Sequence, residues 1–211
     1  MTKNTSARIE RLVLWGVALI LAVISAAFIY SKAGPGSPPL PVLKTIAPFQ
    51  LTDQKGNPFS LNDLRGRVWV GSIIFTRCPG PCARMTQQYA RLQADLPSDG
   101  RVMLASLTAD PEYDTPEVLL RFGDRFGAEY GRWRFLTGSK TELYSLAMNG
   151  LMLALQETEP EKRVIDEDMF IHSELFVLVD KNGNARAAYD SSEPDTHAKV
   201  LAGVKQLLKE R

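Results

Sequence analysis

The longest uninterrupted apolar run of the chain lies near its amino terminus, from Leu12 to Tyr30. It holds no charged residue in 19 positions, and at about 1.5 Å per residue a helix of this length spans roughly 29 Å. That length matches the hydrocarbon thickness of a bilayer. Lys3, Arg8 and Arg11 precede the run, whereas Lys32 follows it. The excess of positive charge before the run predicts a membrane anchor with a cytoplasmic N-terminus.

The segment from 31 to 45 has a different composition. It reads SKAGPGSPPLPVLKT, in which four prolines and two glycines predict a stiff, extended linker. We therefore expect a cytoplasmic N-terminus at 1–11, an anchor at 12–30, this linker, and an exported domain at 46–211. The short N-terminal segment favours a bacterial inner (plasma) membrane, crossed once, with the domain in the periplasm. A cleaved signal peptide is the alternative, although its apolar region normally spans only about 7–15 residues.

In the exported domain the pattern alternates between continuous apolar runs and helical spacing. Continuous β-rich runs predict buried strands at 68–76, 102–108 and 175–180, and ARAAYD predicts a further strand after a turn at 181–184. Apolar residues three and four apart predict helices at 83–96, 116–126, 140–148 and 196–208. FQLTDQKGNPFSL predicts an N-terminal β-hairpin, and NGLMLALQETEPEKR is read as an inserted hairpin and loop. This order matches an α/β, thioredoxin-like fold.

Composition narrows the functional classes. The chain has 45% hydrophobic residues and a formal net charge of +1, so it is neither disordered nor basic enough to offer a nucleic-acid-binding face. The sequence contains no Walker-type phosphate loop and no GxGxxG motif. We therefore expect a folded domain without a nucleic-acid partner.

The chain has two cysteines, Cys78 and Cys82, and both lie in FTRCPGPCARM, where the first buried strand is predicted to meet its helix. Ligands bind at this end of the strands in open α/β sheets. The partial positive charge of a helix N-terminus favours the thiolate form of both side chains. A structural disulfide, a redox couple, a metal site and chance are all open readings. A disulfide that closes a five-residue loop would stabilise the fold only weakly.

A metal site at the cysteines would need a further ligand. Two thiolates are too few for a closed zinc site, which takes four ligands, but they suit copper(I). Of the two histidines, His172 lies just before a central strand whose entry loop is expected to face the cysteines. His197 is expected to be a solvated residue of the last helix. Met85 is another soft candidate, although its helical spacing predicts core packing.

Charged residues accompany the cysteines in the sequence. Arg77 and Arg84 flank the motif and are expected to lower the thiol pKa values or to meet an acidic partner surface. Asp110 and Asp114, in TADPEYDTPE, are expected to shape a turn and to cap the following helix.

Three ordered motifs resemble the Sco/SenC family, the membrane-anchored copper chaperones of cytochrome c oxidase assembly. They are IIFTRCPGPCARM, SLTADPEYDTPEVLLRFGDRFG and FIHSELFVLVDKNG, and the resemblance covers roughly 46–210 and the anchor. It implies that Cys78, Cys82 and His172 bind copper, as copper(I) or copper(II). It also implies delivery of that copper to the binuclear copper centre of cytochrome c oxidase, with a periplasmic copper donor or thiol reductant as a further partner.

The chain departs from the family pattern at two positions beside these residues. Ala83 stands where the family usually has proline, and Ile171 stands where it commonly has aspartate. A metal-bound histidine normally hydrogen-bonds through its second ring nitrogen, so the change at Ile171 bears on the orientation of His172.

Two other functions compete with copper delivery. A thiol–disulfide reductase that keeps the oxidase copper-site cysteines reduced would need Cys78 and Cys82 but not His172, and it would make the chain an enzyme. A peroxidase of the peroxiredoxin type would share the fold, but the second cysteine four residues on does not suit it. We favour copper delivery, which is not an enzymatic activity, because the histidine is present.

Overall fold

The computed structural model describes residues 14–27, 38–78, 80–158 and 170–210, and of Ile171 and His172 it describes the backbone alone. The chain divides into two compact units between Pro39 and Leu40. The first unit contains helix α1, at 14–27, whose side chains are all exposed. Within the described residues, no helix combines the length and the hydropathy needed to cross a membrane. Parts of the predicted anchor lie outside those residues, so the anchor stays a prediction.

The second unit is built on an eight-stranded mixed sheet with the order β1-β10-β9-β4-β5-β6-β2-β3, and β7 and β8 form a separate two-stranded sheet. β4, β5 and β6 run parallel, whereas β9 is antiparallel to β4 and β10 is antiparallel to β9. The strands are β1 (Lys44–Thr45), β2 (Gln50–Asp53), β3 (Pro58–Ser60), β4 (Val68–Ile74), β5 (Val102–Thr108), β6 (Trp133–Thr137), β7 (Leu155–Glu157), β8 (Phe170–His172), β9 (Leu175–Val179) and β10 (Asn184–Asp190).

Helices cover the sheet and complete the predicted thioredoxin-like order. They are α2 (Pro81–Asp95), α3 (Pro116–Arg125), α4 (Lys140–Tyr144), which continues as a π-helical turn (Ser145–Gly150), and α5 (Thr196–Lys209). α5 packs on β4, β9 and β10 and also contacts α2, whereas α3 packs on β6. Every residue of β4 and of β5 is buried, so both faces of the sheet are covered at its centre. The continuous apolar runs in the sequence reflect this burial on two faces.

The predicted N-terminal hairpin is confirmed, with β2 and β3 paired antiparallel and Gly56 in the left-handed region at φ 79°. Of the inserted hairpin predicted at 149–163, only β7 lies within that stretch, and it pairs antiparallel with β8, which lies beyond it and was not predicted. Residues between these two strands, 159–169, lie outside the described part of the chain.

Further elements were not predicted, namely β6, β1 and the short 3₁₀ helix Leu61–Asp63. β6 joins the sheet between β5 and β2, although the sequence analysis assigned no strand to the residues between α3 and α4. β1 pairs with β10 within the stretch interpreted as a linker, and the compact unit starts at Leu40 rather than at Ile46. Arg186 fixes this earlier start, because its Nε donates a hydrogen bond to the carbonyl oxygen of Leu40 at 2.9 Å.

Candidate metal and thiol site

The cysteines lie where β4 ends and α2 begins, as the sequence predicts. After Ile74 the chain turns, and the backbone N–H of Cys78 donates to the carbonyl oxygen of Phe75 at 3.2 Å. α2 begins at Pro81, so Cys82 is the second residue of the helix, whereas Cys78 precedes it. A proline suits the first helical turn because the N–H that it lacks would have no helical partner there.

Both thiols are buried and neither forms a disulfide. Cys78 is 4% exposed and Cys82 is 0% exposed. The backbone N–H of Phe75 donates to Sγ of Cys82 at 3.4 Å, which ties the second cysteine to the end of β4. The two sulfurs therefore belong to one buried pocket formed by the strand end and the first turn of α2.

The expectation that the helix N-terminus makes both thiols readily ionised is wrong for Cys82. A hydrogen bond with Cys78 and burial raise the pKa of the Cys82 thiol far above its usual value, and the nearby charge of a Cys78 thiolate raises it further. The N–H of Phe75 lowers the pKa of Cys82, but by less than these causes raise it. In the metal-free, reduced protein Cys82 is therefore a neutral thiol at physiological pH.

This state predicts low reactivity towards alkylating agents. Because the thiolate is the nucleophile, we expect iodoacetamide at pH 8 to modify Cys82 at least about 100-fold more slowly in the folded, reduced chain than in the same chain unfolded in urea. Peptide mass spectrometry after timed quenching measures both rates. Equal rates in the folded and unfolded chain would contradict the burial and the raised pKa of Cys82.

Asp114 holds the segment between β4 and Cys78, which corrects its predicted role as a helix cap. Its carboxylate accepts hydrogen bonds from the backbone N–H of Thr76 at 3.1 Å and from the hydroxyl groups of Thr76 and Thr108. Asp114 is 0% exposed, and burial raises the pKa of its carboxyl group despite these hydrogen bonds. The helix cap is Thr115, whose side chain accepts from the N–H of Val118.

Arg77 and Arg84 both have acidic partners within this chain. The Arg77 guanidinium donates to Oδ2 of Asp110 at 2.6 Å and lies 4.2 Å from the ring centroid of Tyr113. Arg84 approaches Glu174 at 3.7 Å, and both side chains of this pair are partly exposed. Asp110 therefore does more than shape its turn, since it also orients the residue that precedes Cys78.

The backbone of His172 lies on β8, where it pairs with Leu155 of β7. Contacts on either side of it connect this strand to the cysteine segment. Two residues earlier, the Phe170 ring packs edge-on against Phe75, with centroids 5.2 Å apart. Two residues later, Glu174 meets Arg84 of α2. The chain on both sides of His172 is therefore in contact with the two elements that carry the cysteines.

The other candidate ligands lie elsewhere. His197 pairs with Asp95 at 2.8 Å, and Asp95 ends α2, thirteen positions after Cys82 and therefore about 20 Å along the helix. Met85 is 1% exposed and belongs to the core, as its spacing predicts. Among the described residues, which exclude the His172 side chain, no three His, Cys, Asp or Glu side chains group closely enough to hold a metal ion.

Comparisons with known proteins agree with this arrangement of fold and motifs. The SCO1/SenC family profile matches residues 39–209. The SCO1 protein homolog of Bacillus subtilis (strain 168) is 30% identical over 167 residues, which cover 78% of this chain and 83% of that protein. A protein of Stutzerimonas stutzeri that is named for copper binding is 32% identical over 151 residues, which cover 70% of each chain.

A solved structure gives the same result. The structure of BsSco matches with a TM-score of 0.70 and 29% identity. BsSco is described as a member of the Sco family of cytochrome c oxidase assembly proteins in which a disulfide switch was identified. The match covers 82% of this chain and 100% of BsSco, so the thioredoxin-like Sco fold extends over the whole second unit. With its profile match from residue 39 to residue 209, this chain belongs to the SCO1/SenC family.

Proposed function

We propose that this protein binds copper through Cys78, Cys82 and His172 and delivers it to the binuclear copper centre of cytochrome c oxidase. The observation that carries the proposal is the pair of buried, reduced thiols at the start of α2, with the chain on both sides of His172 in contact with the elements that hold them. In this proposal, copper is the cargo that the protein carries and not a permanently bound cofactor. The copper-binding name of the Stutzerimonas stutzeri relative and the oxidase-assembly role of the Sco family, as stated for BsSco, support it.

The donor set fits copper(I) better than a harder cation. Thiolate sulfur and imidazole nitrogen are preferred ligands of copper(I), and three ligands suffice for this ion. Phe75, whose N–H donates to Sγ of Cys82, is fully buried, and the Phe170 ring packs against its side chain. Burial among apolar groups favours a soft ion bound by covalent character over a strongly hydrated one.

The proposal includes a membrane anchor at 12–30 and a periplasmic position for the second unit. It is supported by the uncharged run with its basic flank, and by α1, on which large apolar side chains such as Trp15 are exposed. A helix that is apolar on all faces is stable when a membrane covers it. Alkaline phosphatase fused after Arg211 in a bacterial host should be active, and an inactive fusion would contradict export of the domain.

Copper retention by two histidine variants tests the ligand set. The full chain, purified in detergent and reduced under argon, should bind one equivalent of copper(I) tightly. We expect His172→Ala to weaken copper(I) binding at least about 100-fold, since it removes one ligand of three. His197→Ala is the matched control and should bind as the wild type does, because His197 pairs with Asp95 about 20 Å from Cys82. Competition with a chromophoric copper(I) chelator measures both affinities.

Thiol–disulfide exchange is the second candidate function, and the shared pocket of Cys78 and Cys82 favours it. The disulfide switch described for BsSco belongs to the same chemistry. A reductase would lose no activity in His172→Ala, whereas a copper carrier would lose its cargo. If the wild type binds no tight copper while both thiols reduce a model disulfide peptide, the reductase is the better description.

A further inference from the structure

A polar cavity of about 430 Å³ lies at the opposite end of the sheet from the cysteines. It is lined by residues of the β2–β3 hairpin, of the entry to β4 and of β6. Arg67 directly precedes β4, whereas Cys78 follows the other end of that strand, and β4 itself spans seven residues, about 23 Å. The cavity therefore lies about one strand length away from the metal and thiol site.

Two of the cations that line the cavity have no carboxylate partner among the described residues. The Arg67 guanidinium donates to Sδ of Met103 at 3.2 Å, and a thioether is only a weak acceptor. Lys55 lies over the Tyr130 ring, with its ammonium nitrogen 5.5 Å from the ring centroid. Most of the hydrogen-bonding capacity of both side chains is therefore left for a ligand.

Arg134 adds a third cation that is only partly satisfied. One terminal nitrogen lies 3.4 Å from Oδ2 of Asp53. Its Nε is buried and has no hydrogen-bond partner among the described residues. A buried guanidinium N–H without an acceptor is costly. The Arg134 side chain is 25% exposed, so the accessible part of its guanidinium group can donate to an anion in the cavity.

The two carboxylates at the cavity are already committed to the protein. Oδ1 of Asp53 accepts the backbone N–H groups of Lys55 and Asn57, each at 2.9 Å. Oδ2 of Asp63 accepts the N–H and the hydroxyl of Ser60, each at 2.8 Å. Asp53 holds the β2–β3 turn and Asp63 holds the 3₁₀ helix Leu61–Asp63 in place. With three cations against two carboxylates, the cavity keeps an excess of positive charge.

We propose that this cavity binds a phosphate group, either free or esterified. Guanidinium groups match the geometry of phosphate oxygens, and an ammonium group adds a further charge-assisted hydrogen bond. The volume is several times that of a phosphate ion, so an ester substituent also fits. A bound phosphate would join the β2–β3 hairpin to the entry of β4 and to β6, and would raise the thermal stability of the protein.

Calorimetric titration of the full chain in detergent, in a buffer free of oxyanions, tests the site with inorganic phosphate and with glycerol 3-phosphate as probes. We expect saturable binding at one site and a higher melting temperature. Tighter binding of glycerol 3-phosphate would identify an ester such as a lipid headgroup as the ligand, and equal binding would identify free phosphate.

Variants that remove a cation from the cavity, compared with one that removes a cation from the nearby surface, distinguish binding in the cavity from a general effect of net charge. Arg67→Gln should weaken phosphate binding at least tenfold without leaving a carboxylate unpaired, and Lys55→Gln provides the same test on another element. Arg65→Gln, which removes an exposed arginine two positions before Arg67, is the matched control and should bind phosphate as the wild type does. Absence of saturable binding in the wild type, or equal weakening in Arg65→Gln and Arg67→Gln, would overturn the proposal.

Discussion

Replacing Cys78 or Cys82 by serine should abolish tight copper(I) binding, with a loss of about 1,000-fold or more in affinity for each variant. Structural zinc sites with four ligands contribute about 10–16 kcal/mol, so one ligand is worth about 3–4 kcal/mol, or roughly 100- to 1,000-fold. The loss at a copper(I) site of three ligands should lie at or beyond the upper end of this range. Serine cannot replace the sulfur, because its hydroxyl is a hard donor that stays protonated at neutral pH.

The effect on folding has to be separated from the effect on copper. A hydroxyl at the fully buried position of Cys82 costs about 1–3 kcal/mol if it lacks a partner, although the N–H of Phe75 remains available to it. Met85→Leu is the matched control, since it removes a sulfur from the same helix at nearly constant volume. Circular dichroism and chelator competition should show all three variants folded and only the cysteine variants without tight copper. A serine variant that keeps wild-type affinity would remove that cysteine from the ligand set.

The same site should bind copper more tightly as the pH rises. Cys82 is protonated in the metal-free protein because its pKa is raised, so binding has to release that proton. Each released proton makes the affinity increase about tenfold per pH unit for as long as the thiol stays protonated in the free protein. Below the usual histidine pKa of about 6.5, protonation of His172 would steepen the loss.

The position of the site could be predicted because it depends on local patterns. Val68–Ile74 is a continuous apolar run, and such a run followed by Pro81 and helical spacing defines a strand, a turn and a helix without knowledge of the rest of the chain. The two cysteines fall between these elements in the sequence, so their place at the carboxyl end of β4 follows directly.

β6 could not be predicted in the same way, because its stability comes from its neighbours. It has five residues, and Arg134 interrupts its apolar pattern. The strand forms because β5 pairs with it on one side and β2 on the other, and the charge of Arg134 is accommodated by Asp53 of β2. β1 is shorter still, with two residues, and it pairs with the edge of β10.

The hydrogen-bond partners of Asp114 could not be predicted from the sequence either. An aspartate one residue before a Thr-Pro helix start normally suggests a local cap. Its main partner, Thr76, is 38 positions away and meets it only because β4 and β5 are adjacent parallel strands that end at the same edge. Pattern analysis finds partners within one turn of chain, whereas this contact depends on the assembled sheet.

Asp114→Ala should destabilise the metal-free, reduced protein by about 3–5 kcal/mol, because three donors at the end of β4 and β5 lose their acceptor. These donors are the N–H and hydroxyl of Thr76 and the hydroxyl of Thr108. Leaving a buried donor unsatisfied costs about 1–3 kcal/mol, and the two hydroxyl groups recover part of this by rotating. Urea unfolding monitored by tryptophan fluorescence measures the change, and Asp99→Asn, at an exposed turn, is the control expected to stay within about 0.5 kcal/mol.

Asp114→Asn distinguishes the charge of this residue from its shape. The amide keeps one acceptor, so we expect a loss of about 1–2 kcal/mol at pH 7. Burial raises the pKa of Asp114, so in the wild type the protonated carboxyl is favoured by folding. Its contribution to stability is then fully present below the unfolded pKa of about 3.9 and is lost as the pH rises through the folded pKa. The wild type should accordingly gain stability relative to Asp114→Asn as the pH is lowered from 7 towards 4.

The consequence for function follows from the position of Thr76, two residues before Cys78. Without Asp114 the segment from the end of β4 to Cys78 loses its connection to Thr108 of β5, and the sulfur of Cys78 is held less firmly. We expect the copper(I) affinity of Asp114→Ala to fall about tenfold, far less than in the cysteine variants, because all three ligands remain. Chelator competition at a temperature where the variant is folded compares its copper(I) affinity with the affinities of the wild type and the cysteine variants. A variant as defective as Cys78→Ser would make Asp114 a ligand rather than a positioning residue, and an unchanged affinity would confine its role to stability.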